Sequence, residues 1–129
     1  MGIKEDASRI HEMGYNCAQC VLCSCTKYTG LDEGISIAIS SGFGGGLRSG
    51  EICGAISGAV MALGYIAAKN DPSDPSARQK ASSFARECVS SFRDQYGFVR
   101  CLDLKKAGIS CDELIQYGAQ YVEDKLKSE

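Results

Sequence analysis

The sequence predicts an all-α, single-domain bundle of about five to six helices, with a Gly-rich loop before a buried central helix. Apolar residues recur at helical spacing along most of the chain, helix-capping residues separate these segments, and no stretch alternates with the period of two that marks a strand. The 129 residues suffice for one hydrophobic core and are too few for two. We therefore predict that residues 1–129 form one helical domain.

The first half of the chain is predicted to contain three helical segments before the Gly-rich loop. The first covers Ile3–Met13. The second runs from Cys17 to about Tyr28, and Asn16 is its predicted N-cap because the side-chain oxygen can accept a hydrogen bond from a free backbone N–H group. Asp32 is the predicted cap of the short third segment, Glu33–Ser41.

Five glycines fall within Ser41–Gly50, which predicts a loop with unusual backbone angles or close backbone approach. The nearly uncharged segment Ile52–Ala68 follows. With about 17 residues it is short for a membrane span, so it is predicted to be a buried central helix without membrane insertion. Its small residues at positions 54, 58 and 62 form a face on which another helix, from this chain or from a second copy, could pack closely.

The second half is predicted to contain two long helices and a short piece between them. Asp74-Pro75 begins a helix that continues to about Tyr96, with Asp as N-cap and Pro in the first helical position. Phe98–Lys106 is a short irregular or helical piece around Cys101. Ser110 is the predicted N-cap of the last helix, about Cys111–Lys127, with Glu113 as its capping-box partner.

Charge and cysteine content narrow the class of protein. Lys and Arg total 14 against 16 Asp and Glu, a balance that argues against a nucleic-acid-binding protein and against a polybasic membrane-surface protein. No apolar signal-peptide core follows Met1, so we expect a cytoplasmic location. In that reducing compartment, eight cysteines point to redox activity or metal binding rather than to structural disulfides.

Cys53 is the strongest single candidate for chemistry. It lies at the predicted start of the central helix, directly after the Gly-rich loop, where free N–H groups and the helix dipole predict a lowered thiol pKa. Cys17 and Cys111 begin predicted helices in the same way, and Cys101 lies in the loop just before the last helix.

Other patterns are weaker. The Gly-rich loop lacks the Lys of a phosphate-binding loop, since Glu51 follows its last glycine. The run Cys17-x-x-Cys20-x-x-Cys23-x-Cys25 fails the ferredoxin spacing, although Cys17 and Cys20 resemble a dithiol motif. Cys25 and Cys88 are predicted to fill the core, while the roles of Cys20 and Cys23 stay open. His11, the single histidine, is predicted to lie on a helix surface.

Several motifs together resemble the C-GCAxxG-C-C family of redox-active proteins. They are Asn16-Cys17-Ala18-Gln19, Gly42-Phe43-Gly44-Gly45-Gly46 and Cys53-Gly54-Ala55-Ile56-Ser57-Gly58-Ala59, followed by Cys101 and Cys111. The resemblance implies that the four defining cysteines of the family are Cys17, Cys53, Cys101 and Cys111. The chain is also similar to a module of split-Soret cytochromes, which implies a four-cysteine iron–sulfur site. It lacks the haem-attachment motif of those proteins, so the resemblance implies no haem.

The resemblance leaves three chemistries open. The first is electron transfer through an iron–sulfur cluster, with 2Fe–2S favoured, bound by Cys17, Cys53, Cys101 and Cys111, with N–H groups of Gly44, Gly45 and Gly46 offsetting its charge. The second is metal-free thiol–disulfide exchange with Cys53 as nucleophile and Cys17, Cys101 or Cys111 as resolving thiol. The third is a structural zinc site with four cysteine ligands. Each redox alternative implies an unidentified redox partner protein, and whether the protein is an enzyme is left open.

Overall fold

The computed structural model describes residues 2–129, and every regular element in that range is helical, as predicted. The right-handed helices are α1 (Ile3–Glu12), α2 (Cys17–Ser24), α3 (Thr26–Thr29), α4 (Glu33–Ile39), α5 (Gly54–Ala68), α6 (Pro75–Tyr96), α7 (Cys101–Lys106) and α8 (Cys111–Ser128). A further helical segment, Gly46–Gly50, lies between α4 and α5.

The prediction of five to six helices was therefore wrong, because the described residues contain nine helical segments. The predicted second helix is divided in two at Cys25, where ψ rises to 8° and the backbone leaves the helical path. The Gly-rich loop contributes another segment, since part of it is wound into a tight turn. The short piece around Cys101 is a true helix that begins at that residue.

The predicted helix starts are confirmed by their caps. The Asn16 side chain accepts a hydrogen bond from the Gln19 backbone N–H, and the Gln19 side chain accepts one from the Asn16 N–H, both at 2.9 Å. Asp32, Asp74 and Ser110 likewise accept hydrogen bonds from the first turns of α4, α6 and α8. These polar side chains satisfy N–H groups that a helix start leaves without partners.

Helix α5 is the centre of the molecule and packs against α2, α6 and α8. Its small-residue face allows this. A Cβ atom at Gly58 would lie only 2.7 Å from the Ala18 carbonyl oxygen of α2. From the other side, a Cβ atom at Gly118 of α8 would lie 3.1 Å from the Ala55 carbonyl oxygen. The close approach of three helices buries one continuous apolar core that also includes residues of α1 and α6.

The segment that precedes α5 pairs with the segment that precedes α7. Ile52 and Arg100 form an isolated antiparallel bridge, in which the Cys53 N–H donates to the Val99 carbonyl and the Cys101 N–H donates to the Glu51 carbonyl. The start of α7 is thereby fixed beside the start of α5.

Within residues 2–129, no helix combines the length and the apolar character that crossing a membrane requires.

Candidate functional site

The four cysteines that the family resemblance singled out all lie at helix starts. Cys17, Cys101 and Cys111 are the first residues of α2, α7 and α8, and Cys53 is the N-cap residue of α5. The sequence had suggested this position for three of them. The fourth, Cys101, was expected in a loop and instead begins a helix of its own.

These four cysteines line one cavity of about 170 Å³ at the end of the bundle. The remaining wall is formed by His11, Asn16, Gly45, Arg48, Lys105 and Leu114. Sulfur-bearing residues separated by up to 94 positions in the sequence, Cys17 and Cys111, therefore border the same space. We refer to it as the four-cysteine cavity.

Backbone hydrogen bonds hold Cys53 and Cys101 side by side. The Cys53 N–H donates to the Val99 carbonyl at 2.9 Å, and the Cys101 N–H donates to the Glu51 carbonyl at 2.6 Å. Both bonds belong to the antiparallel bridge between Ile52 and Arg100. Each cysteine directly follows one of these two paired residues.

Cys17 is packed against the start of α5. Its Sγ atom fills the space in which a Cβ atom at Gly54 would lie. The preceding residue, Asn16, caps α2 and also donates from its side-chain nitrogen to the Ser41 carbonyl at 3.1 Å. Asn16 therefore connects the helix start that carries Cys17 to the Gly-rich loop.

The Gly-rich loop forms a short left-handed turn beside the cavity. Gly45, Gly46, Leu47 and Arg48 have φ values of 63°, 62°, 61° and 58°. Two of these residues carry a Cβ atom, for which the left-handed conformation costs about 1–2 kcal/mol each. The turn places Arg48 on the cavity wall, so strained backbone supports a charged side chain at the candidate site.

Of the three loop glycines predicted to face a cofactor, Gly45 lines the cavity. The other two serve close packing. A Cβ atom at Gly44 would overlap the Asn16 side chain, and one at Gly46 would overlap the backbone of Glu51. The structure thus explains why glycine is needed at these two positions without assigning them a ligand.

The expected low pKa of Cys53 is wrong for the metal-free protein. Burial raises the pKa of Cys53 to about 12, and the neighbouring Cys17 and Cys101 thiols raise it further, although the Ala55 and Ile56 N–H groups act in the opposite direction. Burial also raises the pKa of Cys111, with Lys105 opposing. Loss of hydration outweighs the helix start because Cys53 is only 3% exposed.

The charged residues on the cavity wall are basic. Arg48 and Lys105 line it, together with His11, and none of its lining residues is Asp or Glu. His11 was predicted to lie on a helix surface, and nothing in the sequence placed it near a thiol. It is half-buried, and its Nδ1 atom lies 3.2 Å from Oδ1 of Asp112, the residue after Cys111. Sequence spacing gave no signal of this contact between α1 and α8.

The remaining cysteines lie inside the protein. Cys25 and Cys88 are fully buried in the core, as predicted, and Cys20 and Cys23 are buried as well. Burial raises the pKa of Cys20 to about 12 and that of Cys23 to about 11. Their thiols are therefore protonated at neutral pH and poorly suited to attack a disulfide.

As the side chains stand in residues 2–129, no group of three or more His, Cys, Asp and Glu is arranged to hold a metal ion. The four-cysteine cavity therefore offers four thiols around one space without a preformed coordination geometry.

A helical protein with four thiols around a basic cavity belongs to the class of cysteine-rich proteins suited to redox chemistry. Residues 15–125 match the family described as "Putative redox-active protein (C_GCAxxG_C_C)". The chain therefore belongs to this family. No curated protein and no solved structure is significantly similar to it.

Proposed function

We propose that this protein transfers electrons and that its redox centre is an iron–sulfur cluster bound in the four-cysteine cavity by Cys17, Cys53, Cys101 and Cys111. The observation that carries the proposal is that the four cysteines assigned to the family pattern by resemblance line one cavity. Four cysteine ligands are what 2Fe–2S and 4Fe–4S clusters require.

The donor set fits such a cluster in its chemistry. Thiolates are soft ligands that select iron–sulfur clusters, zinc and Cu(I), whereas carboxylates favour harder ions, and no carboxylate lines the cavity. Because the four thiols are not prearranged around one point, we expect their side chains to move toward one another when the centre is assembled.

The raised thiol pKa values disfavour free thiolate chemistry in the metal-free protein. Cys53, with a pKa of about 12, carries almost no thiolate at neutral pH and would be a slow nucleophile. A bound metal ion changes this because a coordinating thiol is deprotonated outright. Cys53 and Cys111 would therefore release their protons on ligation, and burial would then exclude water from the Cys53 sulfur atom.

The cluster, when bound, would accept and release one electron. The chain's own groups would tune that exchange. Arg48 and Lys105 place two positive charges at the cavity, which offset the negative charge of four thiolates. Gly45 brings backbone to the same wall without a side chain, where its N–H group could serve as a donor to sulfur.

Anaerobic reconstitution of the purified chain with ferrous iron and sulfide tests the proposal. We expect a coloured protein with about two iron and two acid-labile sulfide atoms per chain and a visible spectrum that bleaches on reduction. Serine in place of any one of the four cysteines should reduce the bound iron severalfold.

Cys25→Ala is the matched control, since Cys25 is a buried cysteine outside the cavity. It should retain iron at the wild-type level. A colourless, iron-free product after reconstitution, or equal iron loss in the Cys25 variant, would contradict the proposal. Stoichiometric zinc without iron would indicate a structural zinc site with four cysteine ligands instead.

The packing of Cys17 against Gly54 favours a second candidate, metal-free thiol–disulfide exchange. It places the Cys17 sulfur beside the residue that follows Cys53. Cys17 and Cys53 would each lose a proton and together give two electrons to a small disulfide, which is reduced to two thiols as the protein disulfide forms. Trapping of free thiols at defined potentials, followed by peptide mapping of the metal-free chain, tests this. An unchanged exchange rate in Cys53→Ser would contradict it.

A further inference from the structure

The rim of the four-cysteine cavity carries two cations without ionic partners. Within residues 2–129, neither Arg48 nor Lys105 belongs to an ion pair, and both side chains are exposed. The nearby Arg100 differs, because it pairs with Glu51 at 3.5 Å and with Asp103 at 3.9 Å. Glu51 and Asp103 are thus both paired with Arg100 and not with Arg48 or Lys105.

This region is positive in a chain that is negative overall. Segments 47–52 and 100–106 contain four basic residues, Arg48, Arg100, Lys105 and Lys106, and two acidic ones, Glu51 and Asp103, which gives a local charge of +2 against −2 for the whole chain. A positive area of this kind attracts anionic partners and steers their approach.

Exposed apolar side chains lie in the same two segments. Leu47 is 50%, Ile52 37% and Leu102 42% exposed, and each is adjacent in sequence to Arg48 or to a cysteine of the cavity. Leu102 packs beside Gly50, which brings the two segments into contact. Apolar residues surrounded by charge are typical of a surface that contacts another protein, whereas a small anion would need the cations alone.

We propose that the surface next to the four-cysteine cavity, formed by Leu47, Arg48, Ile52, Leu102 and Lys105, is the docking surface for an acidic electron-carrier protein. The role of the partner as an electron carrier rests on the proposed function, while the surface itself rests on the charges and exposed side chains described above. The two cations would orient the acidic partner over the cavity, and the apolar residues would form the dry centre of the contact.

The test measures binding of the full metal-free chain to two probe proteins at low ionic strength. An acidic plant-type ferredoxin is the first probe, and basic cytochrome c is the second. We expect the ferredoxin to bind, its affinity to fall steeply with added salt, and its binding to perturb backbone NMR signals at residues 47, 48, 102 and 105. Cytochrome c should bind more weakly.

Arg48→Gln with Lys105→Gln should weaken ferredoxin binding about tenfold, since each exposed charge contact is worth up to about 1 kcal/mol. Arg78→Gln with Lys27→Gln removes the same charge from exposed positions elsewhere and should leave binding unchanged. Leu47→Ser with Leu102→Ser should weaken binding without changing its salt dependence. Circular dichroism of each variant establishes that it is folded.

Absence of ferredoxin binding, or equal losses in the two charge variants, would overturn the proposal. A small anion is the alternative occupant, and the reaction rates of the thiols with an anionic aromatic disulfide and with cationic cystamine distinguish it. Selective reaction with the anionic disulfide, dependent on Arg48 and Lys105 but without ferredoxin binding, would also overturn docking. Because binding is measured without electron transfer, a chain that docks but binds no iron would contradict the proposed function alone.

Discussion

The Sγ atom of Cys17 occupies the space that a side chain at position 54 would need. Gly54 is the first residue of α5, and Cys17 is the first residue of α2, so one contact joins the starts of two buried helices. The glycine next to Cys53 is therefore required by the position of another cysteine. This contact connects the packing of the core to the arrangement of thiols in the four-cysteine cavity.

Gly54→Ala should consequently destabilise the protein, even though alanine is the better helix former. We expect a loss of about 2–3 kcal/mol in the free energy of unfolding, because the added methyl group overlaps both Cys17 and the Phe43 carbonyl oxygen at 3.0 Å. Urea denaturation under reducing conditions measures it. The variant should also lower iron retention after reconstitution, since Cys17 must move.

Gly64→Ala is the matched control on the same helix. Apart from its chain neighbours and the backbone of its own helix, nothing lies within 4 Å of a Cβ atom built at Gly64, so alanine should raise the free energy of unfolding by about 0.5–1 kcal/mol through helix propensity. Equal destabilisation by both substitutions would mean that contact with Cys17 does not determine the glycine at position 54.

Local signals in the sequence were sufficient for much of the fold. Asn16, Asp74 and Ser110 marked helix starts correctly because a cap depends only on residues within one turn. The spacing of Gly54 and Gly58 correctly indicated close helix packing, since small residues four positions apart form one face whatever the partner is. These features depend on short stretches of chain.

Features that depend on distant residues were missed. The contact of His11 with Asp112 joins residues 101 positions apart, and no local pattern encodes it. The pKa of Cys53 was predicted in the wrong direction because the helix start is visible in the sequence while the degree of burial is not. The left-handed conformation of Leu47 was also not predictable, because leucine rarely adopts a positive φ.

The reactivity of the metal-free thiols should follow their exposure and pKa. With a pKa near 12, about one Cys53 in 10,000 is a thiolate at pH 8, so its alkylation by iodoacetamide should be slow and should accelerate up to about pH 12. Cys111 is exposed and should be alkylated before Cys53. Peptide mapping at timed intervals between pH 7 and 11 gives both rates.

The sign of the pH effect on stability follows from the same shift. A thiol whose pKa is raised by folding contributes stability that is complete below its ordinary value of 9 and is lost as the pH rises toward 12. Between pH 9 and 11, the free energy of unfolding should therefore fall less in Cys53→Ala than in the wild type. Rapid alkylation of Cys53 at neutral pH, ahead of Cys111, would contradict both the raised pKa of Cys53 and the predicted order of alkylation.

Strain in the left-handed turn should be relieved at position 47. Leu47→Gly removes the Cβ atom that makes φ of 61° unfavourable, and we expect the free energy of unfolding to stay constant or to rise by up to about 1 kcal/mol. Leu102→Gly changes a similarly exposed leucine within helix α7 and should lower the free energy of unfolding by about 1 kcal/mol. Thermal unfolding of the two variants gives the comparison, and equal losses would show that Leu47 is not strained.

A hydrogen bond between α8 and the short helix α3 should make stability sensitive to acid. The Tyr28 hydroxyl donates to the Glu123 carboxylate at 2.8 Å. This bond lowers the pKa of Glu123 below its ordinary value of 4.5 and raises the pKa of Tyr28 to about 12. The contribution of Glu123 is thus complete above pH 4.5 and lost in more acidic solution, and that of Tyr28 is complete below pH 10 and lost as the pH rises through 12.

Tyr28→Phe should therefore lower the free energy of unfolding by about 0.5–1 kcal/mol at pH 7, which is the usual net value of one exposed or half-buried hydrogen bond. The difference from the wild type should shrink as the pH falls from 5 toward 3, because protonation of Glu123 weakens the charge-assisted bond. Tyr65→Phe is the control, since Tyr65 is an exposed tyrosine of α5 that lies outside this contact, and it should change little at any pH. Urea denaturation at several pH values measures these differences, and a penalty for Tyr28→Phe that is constant from pH 7 to 3 would mean that the Glu123 charge does not strengthen the bond.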